Sequence, residues 1–176
     1  MSHRIFVTGG TGYIGSRLIP MLAARGHEVV ALVCPGSEPQ LPPGCTPVTG
    51  DALDGESYQQ HLRAGGTFIQ LVGMAHPAPA SHAYIAARIA CERELEASRL
   101  NATILRPWYV LGPGHRWPCA LIPFYWLAER LPSTREGARR LGLVTVRQML
   151  GALAEAGDHP PAGVTVMDVP AIRAAG

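Results

Sequence analysis

Hydrophobic and polar positions change period several times along this chain. Arg4-Ile5-Phe6-Val7-Thr8 is a short apolar run entering glycines, and from Tyr13 to Arg25 the residues Ile14, Leu18, Met21 and Leu22 recur at helical spacing. The pattern predicts strand, turn and helix. Pro20 falls inside that helix, where its missing amide favours a kink, and Gly26 supplies the stop. His27 to Val33 reads as a second, buried strand through Val29, Val30, Leu32 and Val33. Pro35 to Pro47 is rich in proline and glycine and reads as a loop. Val48-Thr49 is a brief third strand, Asp54 caps a helix running to Arg63, and Thr67 to Val72 is a fourth strand ending at Gly73. The order is βαβ, loop, βαβ, which right-handed crossovers turn into one parallel sheet with helices on its faces.

Beyond this unit, Ser81 to Leu100 has a helical stripe of Tyr84, Ala87, Arg88, Cys91 and Leu95 with a charged remainder. Ala102 to Leu105 reads as a strand, ended by Arg106-Pro107. Further on, the pattern predicts a helix from Leu121 to Leu131, a strand from Leu141 to Val146, a helix from Arg147 to Ala156 and a last strand from Val164 to Asp168. The sum is an α/β fold. A length of 176 residues suits a single domain over 1–176, with residues 107–176 as a small substrate-side lobe that has little room for an independent core.

Composition narrows the chemistry. The chain is 47% hydrophobic with only 6% aromatic residues, so its core is aliphatic. All 15 basic residues are arginine, which excludes a P-loop lysine, a Schiff-base lysine and a Tyr-x-x-x-Lys pair. Residues 81–176 hold eleven of those arginines against eight acids, too dilute a charge for nucleic acid with Arg139-Arg140 the only adjacent pair. Cys34, Cys45, Cys91 and Cys119 show no C-x-x-C spacing, so neither a disulfide framework nor structural zinc is expected. His76 and His82 have no supporting carboxylates and read as ordinary histidines, so no metal site is expected. No secretory signal precedes the first strand and Ala120 to Leu127 is too short to span a bilayer; the expected compartment is the cytoplasm.

The most specific motif is Thr8-Gly9-Gly10-Thr11-Gly12-Tyr13-Ile14-Gly15. Between a strand and a helix, one glycine permits the turn, a second lets the backbone approach a diphosphate and the third lets the helix pack close to the sheet. The amides at the helix start then face the anion. A dinucleotide, NAD or NADP, is the ligand this arrangement suits. The second strand ends in Val33-Cys34-Pro35-Gly36, with no acid until Glu38 and no nearby arginine, so the ribose end does not choose between the two. Asp51, after the third strand, can accept a hydrogen from an adenine amino group or simply cap a turn.

Tyr84 and Arg88 lie four residues apart on one helical face. A neighbouring guanidinium favours the tyrosinate and so proton exchange with a substrate hydroxyl, but from spacing alone a half-buried tyrosine beside a snorkelling arginine is the better reading. Trp108 and Tyr109, in the Pro/Gly-rich stretch after a strand, can line an apolar pocket for a small molecule, and His115 and Arg116 can meet its polar groups; a packed turn is the alternative.

Together, Thr8 to Gly15, Gly50-Asp51-Ala52-Leu53, Tyr84-x-x-x-Arg88 and Leu105-Arg-Pro-Trp-Tyr-Val-Leu-Gly-Pro-Gly-His115 resemble the NAD(P)-dependent epimerase/dehydratase branch of the short-chain dehydrogenase/reductase superfamily. Within it the chain is most similar to the atypical NAD(P)H-binding group related to NmrA-like proteins and an accessory subunit of respiratory complex I. The resemblance implies a Rossmann-type fold, a dinucleotide on Gly9, Gly10, Thr11, Gly12, Tyr13, Ile14 and Gly15, and Asp51 near adenine. It also puts Tyr84 at the family's catalytic tyrosine with Arg88 replacing the lysine, a change that keeps charge but not shape or ready proton exchange. Members carry a further helix and strand, with a catalytic Ser or Thr, between the fourth strand and the tyrosine helix. Here Gly73 to Ala80, about eight residues, leads straight into Ser81, which reads as a helix cap. The implied sheet is shortened in the middle, and either closes over the gap or is covered by a second copy or another partner. The implied function is an oxidoreductase acting on a hydroxyl or carbonyl substrate; the alternative is a non-catalytic nucleotide-binding structural or regulatory protein.

Overall fold

The apolar run at the amino end is strand β1 (Arg4–Thr8), and it sits inside a four-stranded sheet rather than at its edge. The structure is a computed structural model that describes residues 3–71, 86, 89–90, 92–93, 96–97, 101–107, 109–114, 122–128, 130–131 and 142–176. Its internal contacts divide the chain into two units, Met1–Ala86 and Ala87–Gly176. In the first, β1 is followed by α1 (Gly15–Ala24), β2 (Glu28–Val33), β3 (Cys45–Thr49) and β4 (Thr67–Gln70). All pairings are parallel, in the order β3-β2-β1-β4. That order is the 3-2-1-4 portion of a doubly wound, Rossmann-type sheet, its first half and the strand that opens the second.

Register follows the alternation of side chains. Ile5 stands opposite Val29 and Thr67, and Thr8 opposite Leu32 and Gln70. The helix α1 buries Gly15, Leu18, Ile19 and Leu22, each of the larger side chains contributing roughly 1.5–3 kcal/mol. A second cluster joins Phe6, Val30, Leu32 and Val48 with the partly buried Ala52 and Tyr58, and Phe6 stacks on Tyr58 and Phe68. Helix α1 runs through Pro20, which is exposed.

Two sequence expectations need correction here. Strand β3 begins at Cys45 and contains Pro47, where a loop was expected up to that proline. β3 is an edge strand with one side of its ladder unpaired, so a residue without an amide hydrogen is accommodated. The helix expected from Asp54 to Arg63 is two single turns of 3-10 helix, Gly55–Ser57 and Gln59–His61. Asp54 caps the first as expected, accepting from the Glu56 amide. The Ser57 hydroxyl, however, donates to the carbonyls of Asp51 and Asp54, and such side-chain bonds compete with a continuous helix.

In the second unit, β5 (Ala102–Leu105) and β6 (Tyr109–Leu111) precede α2 (Ile122–Ala128), β7 (Leu143–Thr145), α3 (Val146–Asp158), β8 (Val164–Met167) and α4 (Val169–Ala175). β5 pairs in parallel with β8, and β6 with β7. Residues 86, 89, 90, 92, 93, 96 and 97 are helical, as the stripe predicted; the rest of that span lies outside the described residues. Among the described residues no strand falls between β4 and β5. The core here is Leu143, Val144, Met149, Leu150, Leu153, Val169 and Ile172.

Helix α3 opens on a capping box: Thr145 Oγ1 accepts from the Gln148 amide at 3.2 Å while Gln148 Oε1 accepts from the Thr145 amide at 2.9 Å. Thr145→Ala is expected to lower the unfolding free energy by about 1 kcal/mol in urea denaturation, with Thr145→Ser near wild type. Helix α4 was not foreseen. Asp168 caps it by accepting from the Ala171 amide, and Arg173 Nε donates to the Leu143 carbonyl at 3.0 Å, tying α4 to β7.

Candidate functional site

Strand β1 delivers the chain into the glycine turn with Thr8 wholly buried, its hydroxyl without a hydrogen-bond partner among the described residues. Gly9 turns at a φ of 73°, a conformation that side chains resist, and its carbonyl accepts from the Gly12 amide at 3.0 Å. The helix then starts directly beneath this turn. A Cβ on Gly15 would lie 2.2 Å from the Gly9 carbonyl oxygen and 2.8 Å from Gly10 Cα, so only glycine permits the approach. No side chain caps α1, whose N-cap is Ile14; backbone carbonyls serve instead, Gly12 accepting from the Ser16 amide at 2.9 Å and Ile14 from the Arg17 amide at 3.1 Å.

Arg17, which sequence reasoning passed over, brings positive charge to this corner. Its guanidinium lies 4.1 Å from the centre of the Tyr13 ring and donates to the Tyr13 carbonyl at 2.7 Å. The i, i+4 spacing of Tyr13 and Arg17 was the available signal.

In the turn after β3, Asp51 Oδ1 accepts from the Leu53 amide at 2.9 Å, and the Asp51 amide donates to Ser57 Oγ. The turn-capping role expected of Asp51 is thus present, with the carboxylate held by one of its two oxygens. The connection from β2 to β3 folds back against the glycine turn: a Cβ on Gly10 would come within 3.0 Å of Leu41 Cδ2 and 2.9 Å of Ile19 Cδ1. In the same connection Glu38 Oε1 accepts from Thr49 Oγ1 at 3.1 Å. Leu41, Glu38 and Thr49 were not foreseen as neighbours of the turn.

Tyr84, Arg88, Trp108, His115 and Arg116, with Ser81, His76 and His82, lie outside the described residues. Tyr109 is half-buried and belongs to strand β6, paired with Leu143, where an aromatic loop was expected. Three residues between Pro107 and Gly112 suffice for a strand because β7 supplies the ladder. Just before it, the Arg106 guanidinium holds Glu92 by two hydrogen bonds of 2.5 and 3.3 Å, and that carboxylate pushes its pKa above the ordinary value. Among the described residues no three His, Cys, Asp or Glu side chains gather as ligands for a metal. No helix among them is long and apolar enough to cross a membrane.

A parallel β3-β2-β1-β4 sheet, a glycine turn at the end of β1 and an uncapped helix packed onto that turn are features that known proteins share. Residues 5–76 match the NAD dependent epimerase/dehydratase family. The resemblance read from the sequence is borne out over this stretch. A Synechocystis sp. protein bearing a provisional dihydroflavonol 4-reductase name is 40% identical over 72 residues, covering 39% of this chain and 20% of that protein. A 3-beta-hydroxysteroid dehydrogenase from Mycolicibacterium neoaurum is 42% identical over 53 residues, or 30% of this chain and 14% of its own length. The matched stretches thus span only a small part of these curated relatives. Among solved structures, WbmH of Bordetella bronchiseptica in complex with NAD+ has a TM-score of 0.65 at 19% identity, covering 96% of this chain and 76% of that one. The UDP-glucose 4-epimerase of Thermus thermophilus has a TM-score of 0.60 at 19% identity, covering 97% and 81%. At such identities the likeness is one of fold, and it makes the architecture Rossmann-type across nearly the full chain.

Proposed function

We propose that this chain binds NAD or NADP on the Gly9 to Gly15 turn and serves as an oxidoreductase-like protein for a small hydroxyl or carbonyl compound. The observation that carries this is the contact at Gly15: helix α1 starts so close under the turn that a single Cβ would strike the Gly9 carbonyl. Such proximity brings the glycine backbone and the start of the helix to one corner, where a diphosphate fits. The residues proposed to hold it are Gly9, Gly10, Thr11, Gly12, Tyr13, Ile14 and Gly15, with Arg17 adding charge and Asp51 offering its remaining oxygen to the adenine amino group.

A bound dinucleotide supplies hydride exchange. In this reading Tyr84 exchanges a proton with the substrate hydroxyl, Arg88 favours its ionised form, and Trp108, Tyr109, His115 and Arg116 line the substrate pocket. Residues 1–176 then act as one nucleotide-binding domain with 107–176 as its substrate-side lobe, in the cytoplasm, as a homo-oligomer or with a partner over the shortened sheet. A second reading, a non-catalytic binder of structural or regulatory use, is favoured by the complete lack of lysine, which leaves Arg88 in the place of a proton-exchanging cation.

Calorimetric titration with the oxidised and reduced forms of both dinucleotides tests the binding, and hydride-transfer assays on small carbonyl compounds test the chemistry. Saturable binding is expected, with Tyr84→Phe retaining affinity and losing about a hundredfold in turnover. Binding without turnover in wild type would favour the second reading; no binding at all would end both.

A further inference from the structure

We propose that helix α2 docks this chain on the surface of an anionic lipid membrane, through an exposed face made of Phe124, Trp126 and Arg130. The helix reads Ile122-Pro-Phe-Tyr-Trp-Leu-Ala128, apolar throughout but only seven residues long. It is too short to cross a bilayer and is suited to lying along one.

In a chain with 6% aromatic residues, large rings belong in the core. Here Phe124 is 79% exposed and Trp126 55%, and Leu131 just beyond the helix is 48% exposed. At about 100° per residue, Pro123, Phe124 and Trp126 share an arc of about 160°. Tyr125 and Ala128, on the other side, are half-buried. The helix is seated by one side and exposed on the other.

Two features say what covers that face. The first is charge. Arg130 stands one turn beyond Trp126, with its guanidinium 3.5 Å from the centre of the indole, so the apolar ring carries a cation on its face. Residues 129–147 of the sequence hold five arginines against two glutamates. Aromatic rings at the level of lipid headgroups, with a guanidinium reaching the phosphates, suit the interface of an anionic bilayer. The second feature is size. The exposed parts of Phe124 and Trp126 amount to roughly 300 Å², taking about 150–250 Å² for a whole aromatic side chain. A stable interface between two copies needs about 800 Å² from each. A protein partner has too little to hold, whereas a lipid surface takes up side chains one at a time.

Flotation of the full chain at low and high salt, with vesicles of phosphatidylcholine alone and of phosphatidylcholine with an equal part of phosphatidylglycerol, tests this. Binding to the mixed vesicles is expected to exceed binding to the neutral ones by about fivefold or more, the gain from one arginine at an anionic surface, and to fall as salt rises. The double variant Phe124→Ser, Trp126→Ser is expected to bind neither kind. Arg130→Gln is expected to lose about fivefold on the mixed vesicles and little on the neutral ones. All three side chains are exposed, so thermal melting is expected to stay at the wild-type value, and dinucleotide titration reads the glycine turn separately. Absence of binding to the mixed vesicles, equal binding to both kinds, or binding untouched by the double variant would overturn the proposal. So would sedimentation as a dimer that the double variant breaks into monomers, which would give the face to a second copy.

Discussion

Gly15→Ala is expected to abolish dinucleotide binding and to lower the unfolding free energy by about 3 kcal/mol. The added methyl carbon would sit 2.2 Å from the Gly9 carbonyl oxygen, with Gly10 Cα and C at 2.8 and 3.0 Å. These are backbone atoms, so no side-chain rotation relieves the overlap. Either α1 retreats from the turn or the turn opens, and both disturb the backbone proposed to receive the diphosphate. Gly55→Ala is the matched control, since a Cβ there meets nothing within 4 Å. Urea denaturation reads the stability and calorimetry the affinity. An alanine variant that binds NADH as wild type does would mean that the close packing at Gly15 is not what holds the ligand.

Leu18→Ala is expected to cost about 2–5 kcal/mol, enough to remove much of the stability of a small domain. Leu18 is fully buried, as are Ile19 and Leu22 beside it in α1 and Ile5 and Val7 in β1, so truncation leaves a void lined by side chains already close-packed. Leu53→Ala removes the same atoms from a residue 90% exposed and is expected to change stability by less than about 0.5 kcal/mol. The difference between the two variants, measured by urea denaturation, isolates burial from side-chain chemistry. A loss below about 1 kcal/mol at Leu18 would show that α1 contributes little to the core of the first unit.

The parts of the fold visible in the sequence were those whose signal is local. Ile5 to Val7, the glycines after them and the spacing of Ile14, Leu18 and Leu22 define strand, turn and helix within some twenty residues, and all three stand where expected. β3 started earlier than expected because Pro47 carries opposite meanings at the centre and the edge of a sheet, and only the strand order distinguishes them. β6 escaped because its three residues lie between Pro107 and Gly112, and the parallel partner that makes them a strand comes from Leu143–Thr145. Helix α4 is different. Asp168 followed by Pro170 is a helix-start signature, and it went unread only because seven residues give periodicity little to act on.

The candidate site divides the same way. Its glycine turn is a matter of adjacent residues and was legible. The neighbourhood of Glu38, Leu41 and Thr49 depends on a connection folding back across the sheet, which no spacing rule encodes. Arg17 lay between the two cases, with a helical signal present but no reason, before the turn was seen, to think that its charge mattered.

The seating of Leu41 beside Gly10 has a bearing on how this chain tolerates change in length. Surface connections between strands ordinarily absorb insertions at small entropic expense. This one is moored at both ends of its 3-10 turn, so extra residues between Cys34 and Leu41 would drag on the glycine turn itself, and the freedom to grow lies instead on the far side of the mooring, around Pro43 and Gly44.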